Sequence, residues 1–268
     1  MAGRLEGKVA IVLGASRRDN MGQAIAARFI AEGAKLVAAG RTAGQESELA
    51  AFAARHGCEA MACDVTRKAD LRALAGFARE RFGRLDIAVN AAATGQSAPF
   101  LETTEREIDE MNAIIVKGGI FFYQAMIEAM PEGGALLVIS SAVADIMFAN
   151  HAPYMGAKAA LNQITRAVAN EFGAQGIRAN IVSPGFTVTP MSAKMLRPGT
   201  IEAFAREYPL GRITTIDDIA NAALFAVSDE CFMTGETFHV TGGLRLRRNP
   251  TLPEIAASVA AAAGSSAD

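Results

Sequence analysis

Cysteine is scarce in this chain: Cys58, Cys63 and Cys231 are the only three among 268 residues, with no Cys-x-x-Cys and no Cys/His ligand spacing. Such a pattern predicts free thiols in a reducing compartment, without a disulfide framework or a metal site. An excess of charge of one sign is missing as well, because 26 basic and 28 acidic residues are interspersed and leave a formal charge of −2. Nucleic acid is therefore not an expected partner. Long apolar runs are absent too: none approaches the roughly eighteen residues of a membrane span. The first residues, Met1-Ala-Gly-Arg-Leu-Glu-Gly-Lys8, show no signal-peptide apolar region. The expectation is a cytoplasmic protein with no membrane partner.

What the chain does have is apolar residues, 51% of the total, enough for one domain that buries roughly three quarters of its unfolded surface. Short unbroken apolar runs at 9–13, 35–39, 87–90, 135–139 and 179–182 read as strands buried on both faces, the mark of a parallel sheet between helix layers. Helix-period stretches at 22–32, 43–56, 68–82, 104–129, 154–173 and 217–228 alternate with them, and a last short strand fits 237–240 before Gly242-Gly243. The pattern predicts an α/β fold, a doubly wound, Rossmann-type parallel sheet in a single domain over 1–243. Residues 244–268 differ: basic at Arg245, Arg247 and Arg248, then Pro250, Pro253 and an alanine-rich run. They read as an appended tail with a short helix over 253–263.

After the first strand comes Gly14-Ala-Ser16-Arg17-Arg18-Asp19-Asn20-Met21-Gly22, a strand-to-helix turn with glycine at both ends. A turn of this kind sets helix N-terminal amides against a pyrophosphate and lets backbone approach the ligand closely. A fold of this kind that prefers NAD carries an acidic residue at the end of its second strand. Here that place reads Ala39-Gly40-Arg41-Thr42, with no carboxylate between Lys35 and Gln45. Arg41, with Arg17 or Arg18, suits a 2′-phosphate, so NADP(H) is the expected cofactor. Asp64-Val65, after a third strand, suits the adenine amine, or a helix cap.

Tyr154 and Lys158 stand four apart on a helix and so project from one face. An ammonium beside a phenol favours phenolate and draws the group toward acid/base work near neutral pH. Ser140-Ser141 ends a buried strand at the sheet edge where doubly wound folds bind ligands. A serine there can hold a carbonyl oxygen.

Taken together these pieces resemble the short-chain dehydrogenase/reductase family, ketoreductase type, over about residues 5–243. The resemblance is carried by the Gly14–Gly22 turn, Asp64-Val65, Leu85-Asp-Ile-Ala-Val-Asn90-Ala91-Ala92, Asn112, Ser141, Tyr154 with Lys158, Ile177-Arg-Ala-Asn180, Pro184-Gly185-Phe-Thr187-Val-Thr189, and Thr234-Gly235 before Gly242-Gly243. It implies that Tyr154 gives or takes the proton, Ser141 polarises the substrate carbonyl, Lys158 bonds the nicotinamide ribose and lowers the tyrosine pKa, and Asn112 anchors a relay water. Asn90 would steady the sheet beside the cofactor with Ala91 and Ala92, while Pro184, Gly185, Thr187 and Thr189 would border the nicotinamide. The chain departs from the family pattern in a turn two residues longer, with Asn20 in place of the middle glycine. Further departures are Ala91 for the second asparagine of a pair, Ala93 and Thr214 for glycines, and Thr241 for a frequent aspartate.

The resulting expectation is an NADP(H)-dependent oxidoreductase interconverting a small-molecule ketone and a secondary alcohol by hydride transfer. Two other readings compete. Enoyl reduction is suggested by the long turn, although that branch separates tyrosine and lysine by six residues where three stand here. A catalytically idle dinucleotide-binding protein would need none of the hydroxyls. Met147, Phe148, Met191, Met195 and Leu196 suit either an apolar substrate pocket or core packing, and lone His151 reads as a structural donor. By the same resemblance, apolar residues at 104–129 and 154–173 imply a homo-oligomer, a tetramer.

Overall fold

Seven strands form one sheet in a computed structural model that describes residues 3–95 and 97–264. They are β1 (Val9–Leu13), β2 (Lys35–Gly40), β3 (Glu59–Ala62), β4 (Ile87–Asn90), β5 (Gly134–Ile139), β6 (Ile177–Pro184) and β7 (Thr237–Val240). Their spatial order is β3-β2-β1-β4-β5-β6-β7, every neighbouring pair parallel. Because β1 pairs with both β2 and β4, the chain reverses its direction of winding there, and the crevice at the carboxyl ends of these strands is where such sheets receive ligands.

Alternation along each strand feeds two cores. Ile11, Leu13, Leu136, Val138 and Ile181 face α3 (Lys68–Phe82), α5 (Gly118–Glu128) and α6 (Ala152–Phe172). Ala10, Val12, Leu137 and Val182 face α1 (Met21–Ala31), α2 (Glu48–His56) and α8 (Ile216–Val227). The expected doubly wound α/β architecture is thus what the chain forms.

Several elements differ from the sequence reading. The helix expected from 43 starts at Glu48, because the Ser47 hydroxyl accepts the Ala50 amide and caps it there. The stretch 104–129 is not one helix: α4 (Glu105–Met111) passes through a wide π-helical turn at Asn112–Lys117 before α5 begins. Such turns insert a residue and mark functional helices. A short α7 (Thr200–Ala205), unannounced by any long period, follows Gly199, whose φ of 89° suits glycine.

Residues 244–264 are no loose appendage. They carry α9 (Leu252–Gly264), near the expected 253–263, and this helix lies back against α7. The buried Ser258 Oγ donates to Gly199 O at 2.8 Å, Asn249 Nδ2 to Met147 O at 3.1 Å, and Arg248 pairs with Glu254 and Glu207. Residues 265–268 of the expected tail lie outside the described residues. Among the described residues, no helix is long and apolar enough to cross a membrane.

Candidate active site

Three of the expected catalytic side chains meet at the carboxyl edge of β5. Ser141 follows that strand and caps the short turn Ala142–Ala144, its hydroxyl accepting the Val143 amide at 3.4 Å. Pro153 in the first turn of α6 sets the helix start, and Tyr154 projects from it to hydrogen-bond Ser141. One turn on, Lys158 is buried, its Nζ donating to Ile139 O at 2.6 Å and lying 5.7 Å from the Tyr154 ring centre.

The electrostatics correct one expectation. Burial pushes the Tyr154 phenol up to about 12, only partly opposed by the Ser141 hydrogen bond, and burial brings Lys158 down to about 8. The ammonium spends its short hydrogen bond on the Ile139 carbonyl, so desolvation outweighs its attraction for phenolate. The Tyr154 phenol therefore holds its proton to higher pH than an ordinary tyrosine.

Asn112 does not join this cluster. It opens the π-helical turn as an exposed residue whose backbone amide bonds Ile108 O and Asp109 O and whose side chain shows no hydrogen bond among the described residues, whereas Ile115 is the residue of that turn buried with Ala157 and Leu161 of α6. The extra residue of a π turn rotates the helix face, which a reading based on regular α-helix did not foresee.

The glycine-rich turn fits a dinucleotide. Gly14 has φ 100°, and a Cβ there would come within 2.6 Å of Ala91 C and 2.7 Å of Ala92 N; a Cβ on Gly22 would meet Gly14 O at 2.5 Å. Backbone thus packs against backbone beneath the start of α1, whose first amides have no partners inside the helix. The longer turn is laced by Asn20, which accepts from the Gln23 amide and donates to Gly14 O, both at 2.8 Å. Asn20 itself is extended, and the left-handed residue is Asp19 at φ 57°. Asparagine at this place therefore serves as a brace rather than as a stand-in for glycine's conformational freedom. Ser16 sits against Gly40, Met21 is the first residue of α1, and Arg17 is exposed on the turn.

Arg41 lies just beyond β2, exposed, with its charge acting on Asp64. Burial works against the Asp64 carboxylate, but two hydrogen bonds from Thr66 and the charges of Arg41 and Arg67 prevail and hold its pKa below the ordinary value. Asp64 thus caps its own turn while facing Arg41. Val65 is buried in the core against Gly118. Buried Asn90 accepts the Ala92 amide at 3.0 Å, and the Ala91 amide bonds Leu13 O. Across the crevice, Pro184 ends β6, Gly185 O accepts from Thr187 Oγ1 at 3.0 Å, and Ser192 Oγ accepts the Thr189 amide while bonding the Thr187 carbonyl. Ser192, which ties this loop, carries no sequence signal beyond its type.

An apolar cluster stands beside this edge. Phe186 stacks on Phe204 with ring centres 4.0 Å apart, and Phe148 meets Phe204 edge-on at 5.7 Å. Ile255 of α9 packs on the same cluster. Met147 and Met191 are exposed. His151 lies against the Phe148 ring, its Nδ1 2.7 Å from Ala149 O.

Comparison with known proteins agrees with the fold. The profile of a family described as enoyl-(acyl carrier protein) reductase matches residues 14–245. D-threitol dehydrogenase of Mycolicibacterium smegmatis is 32% identical over 91% of this chain and 95% of its own. The 3-oxoacyl-(acyl-carrier-protein) reductase of Salmonella typhimurium is 31% identical over 89% of this chain and 98% of its own. A solved structure from Burkholderia xenovorans, described as a short-chain dehydrogenase/reductase, superposes with a TM-score of 0.84 at 32% identity, covering 92% of this chain and all of that one.

Proposed function

The chain belongs to the short-chain dehydrogenase/reductase family, and we propose that it interconverts a ketone and a secondary alcohol with NADP(H), Tyr154 being the proton donor and acceptor. The observation that carries this reading is the pairing of Tyr154 with buried Lys158 one helical turn on, beside a Ser141 whose hydroxyl is already anchored.

The family works with nicotinamide dinucleotides, and the bound nicotinamide supplies or takes the hydride. The residues of this chain do the rest. Ser141 presents its hydroxyl hydrogen to the carbonyl oxygen, where charge develops. Tyr154, a phenol that burial holds protonated well past neutral pH, gives that oxygen its proton in reduction and takes it back in oxidation. Lys158 stands behind the phenol, and its burial brings its own titration close to neutral pH. Phe148, Phe186 and Phe204 exclude water from the substrate side.

NADP(H) is favoured over NAD(H) by Arg41, with Arg17 on the turn and no carboxylate between Lys35 and Gln45. The threitol dehydrogenase and the oxoacyl reductase, named for an alcohol and a ketone, support the same reaction type. Enoyl reduction is the second reading, favoured by the description of the matching family. A panel of ketones, secondary alcohols and enoyl thioesters, assayed with both dinucleotides, decides between them: ketone reduction with NADPH is expected, and turnover of enoyl thioesters alone would reverse the assignment.

A homotetramer acting in the cytoplasm belongs to the same proposal, and fully exposed Leu101 and Phe232 are surface suited to cover by another subunit. Sedimentation at micromolar concentration should show a species several times the 28.0 kDa chain; a monomer alone would reject the assembly.

A further inference from the structure

The helix α9 meets the body of the protein along one edge. Buried Ser258 sits against Gly199, its Oγ donating to Gly199 O at 2.8 Å, and Ile255 and Val259 beside it are half-buried. The adjoining face is open: Leu252, Ala256, Ala260 and Ala263 are exposed. With Ile255 and Val259 these positions recur at intervals of three and four residues, so they form one continuous stripe along the helix. Every side chain in the stripe is apolar, and the alanines keep its middle low.

The stretch from Lys194 to Thr200 faces this stripe, and the two enclose a groove of about 430 Å³, within the roughly 300–1,000 Å³ usual for small-molecule sites. The buried Thr200 hydroxyl fixes that wall, accepting the Arg197 amide at 3.1 Å and donating to Met195 O at 3.2 Å. Lys194, Met195 and Arg197 line the groove from the same side. Neither of the two cations has a side-chain hydrogen bond or ion pair among the described residues, and no carboxylate lines the groove. Glu254, the acid of α9, is held by Arg248 and Thr251.

Two unpaired cations beside an apolar trough match a molecule that carries an anion at one end and hydrocarbon along the rest. A simple anion would leave the stripe wet, and a neutral chain would leave the cations unanswered. A second copy of this chain suits the groove less well, because the two-fold contact usual for dimers would set the same cationic rim against itself. We propose that the groove between α9 and residues 194–200 binds a single-chain anionic amphiphile, its carboxylate at Lys194 and Arg197 and its hydrocarbon tail along the α9 stripe. The site is separate from the glycine-rich turn and from Tyr154 and Lys158, none of which lines it, and it does not depend on the ketone/alcohol reading.

Dodecanoate is the probe, titrated below its micellar concentration into the full chain by calorimetry, with and without NADPH. Saturable one-to-one binding is expected, unchanged by the dinucleotide. Octanoate should bind at least roughly tenfold more weakly, since its shorter tail buries fewer methylenes. Dodecyltrimethylammonium, with the same tail and the opposite charge, should not bind. In the double variant Lys194→Glu, Arg197→Glu the affinity for dodecanoate should fall about a hundredfold, and Ala260→Phe, which fills the trough, should abolish binding. A wild type that does not bind dodecanoate, equal binding of the cationic amphiphile, or wild-type affinity in both folded variants overturns the proposal. Displacement of dodecanoate by NADPH would place it in the dinucleotide crevice and overturns the proposal as well. If Ala260→Phe lowers the oligomeric state in sedimentation and the wild type ignores dodecanoate, the groove is a contact between subunits instead. Should a variant fail to fold, the three amphiphiles and the NADPH competition on the wild type still decide.

Discussion

Asn20 donates from Nδ2 to the carbonyl of Gly14 and accepts at Oδ1 from the amide of Gln23, tying the start of the glycine-rich turn to the helix that follows it. Asn20→Ala removes both ties at once. Loss of an N-cap costs about 0.5–2 kcal/mol, so the melting temperature should drop by several degrees. The freed turn should also bind dinucleotide more weakly, which fluorescence titration would read. A variant unchanged in both would show that the turn holds its shape without the brace.

Tyr154→Phe keeps the ring and removes the acid/base oxygen. Turnover of the best ketone should fall at least a hundredfold, while the dinucleotide dissociation constant stays within about twofold. Near-normal kcat in this variant would show that another group moves the proton.

Lys158 links stability to pH. Its folded pKa of about 8 lies below the ordinary lysine value of 10.5, so between those limits the unfolded chain binds more protons than the folded one. Stability from this group therefore rises with pH across that window. Compared with Lys158→Met, the wild type should gain on the order of 3 kcal/mol from below pH 8 to above pH 10.5. Tyr154 acts in the opposite sense, losing stability between about pH 10 and its folded pKa of about 12, but it is common to both proteins and cancels. Denaturant unfolding at three pH values checks this, and a constant difference would refute the assignment of a charged, buried lysine.

Arg41→Ala should reduce kcat/KM for NADPH by roughly tenfold to several-hundredfold, the equivalent of one or two charged hydrogen bonds, with NADH little affected. A side chain at the neighbouring Gly40 requires the Ser16 hydroxyl to turn aside, its Oγ lying where the Cβ would stand. If the preference for NADPH survives Arg41→Ala, the phosphate contact belongs to Arg17 or Arg18.

A chain ending at Arg248 loses α9 and with it the Ile255 side of the aromatic cluster. KM for ketone should rise several-fold with the dinucleotide dissociation constant unchanged. Steady-state kinetics that match the full chain would mean that α9 is dispensable to the substrate side.

The strands buried on both faces were legible because Val9–Leu13 or Leu136–Ile139 leave no polar alternation to misread. β3 was harder: Glu-Ala-Met-Ala has no β-branched residue and is held by pairing with β2 alone. Tyr154 and Lys158 could be paired from spacing, yet the direction of the phenol's shift depends on burial, which spacing does not encode. The setting of Asn112 was not legible, because its π turn interrupts the regular α-helical spacing assumed from sequence. The pairing of Ser183 with His239 comes from strand register, which joins positions far apart in sequence.

The docking of Ser258 on Gly199 gives the two halves of the site different birth dates. During synthesis the strands that cradle dinucleotide emerge first, and β4 to β7 are then laid down one after another on the same side. The aromatic wall of the substrate side still waits for Ile255, which leaves the ribosome after every strand. A nascent chain stalled beyond β7 thus carries a finished sheet and an unfinished aromatic cluster, a chronology in which, under the proposed function, cofactor recognition precedes substrate selectivity.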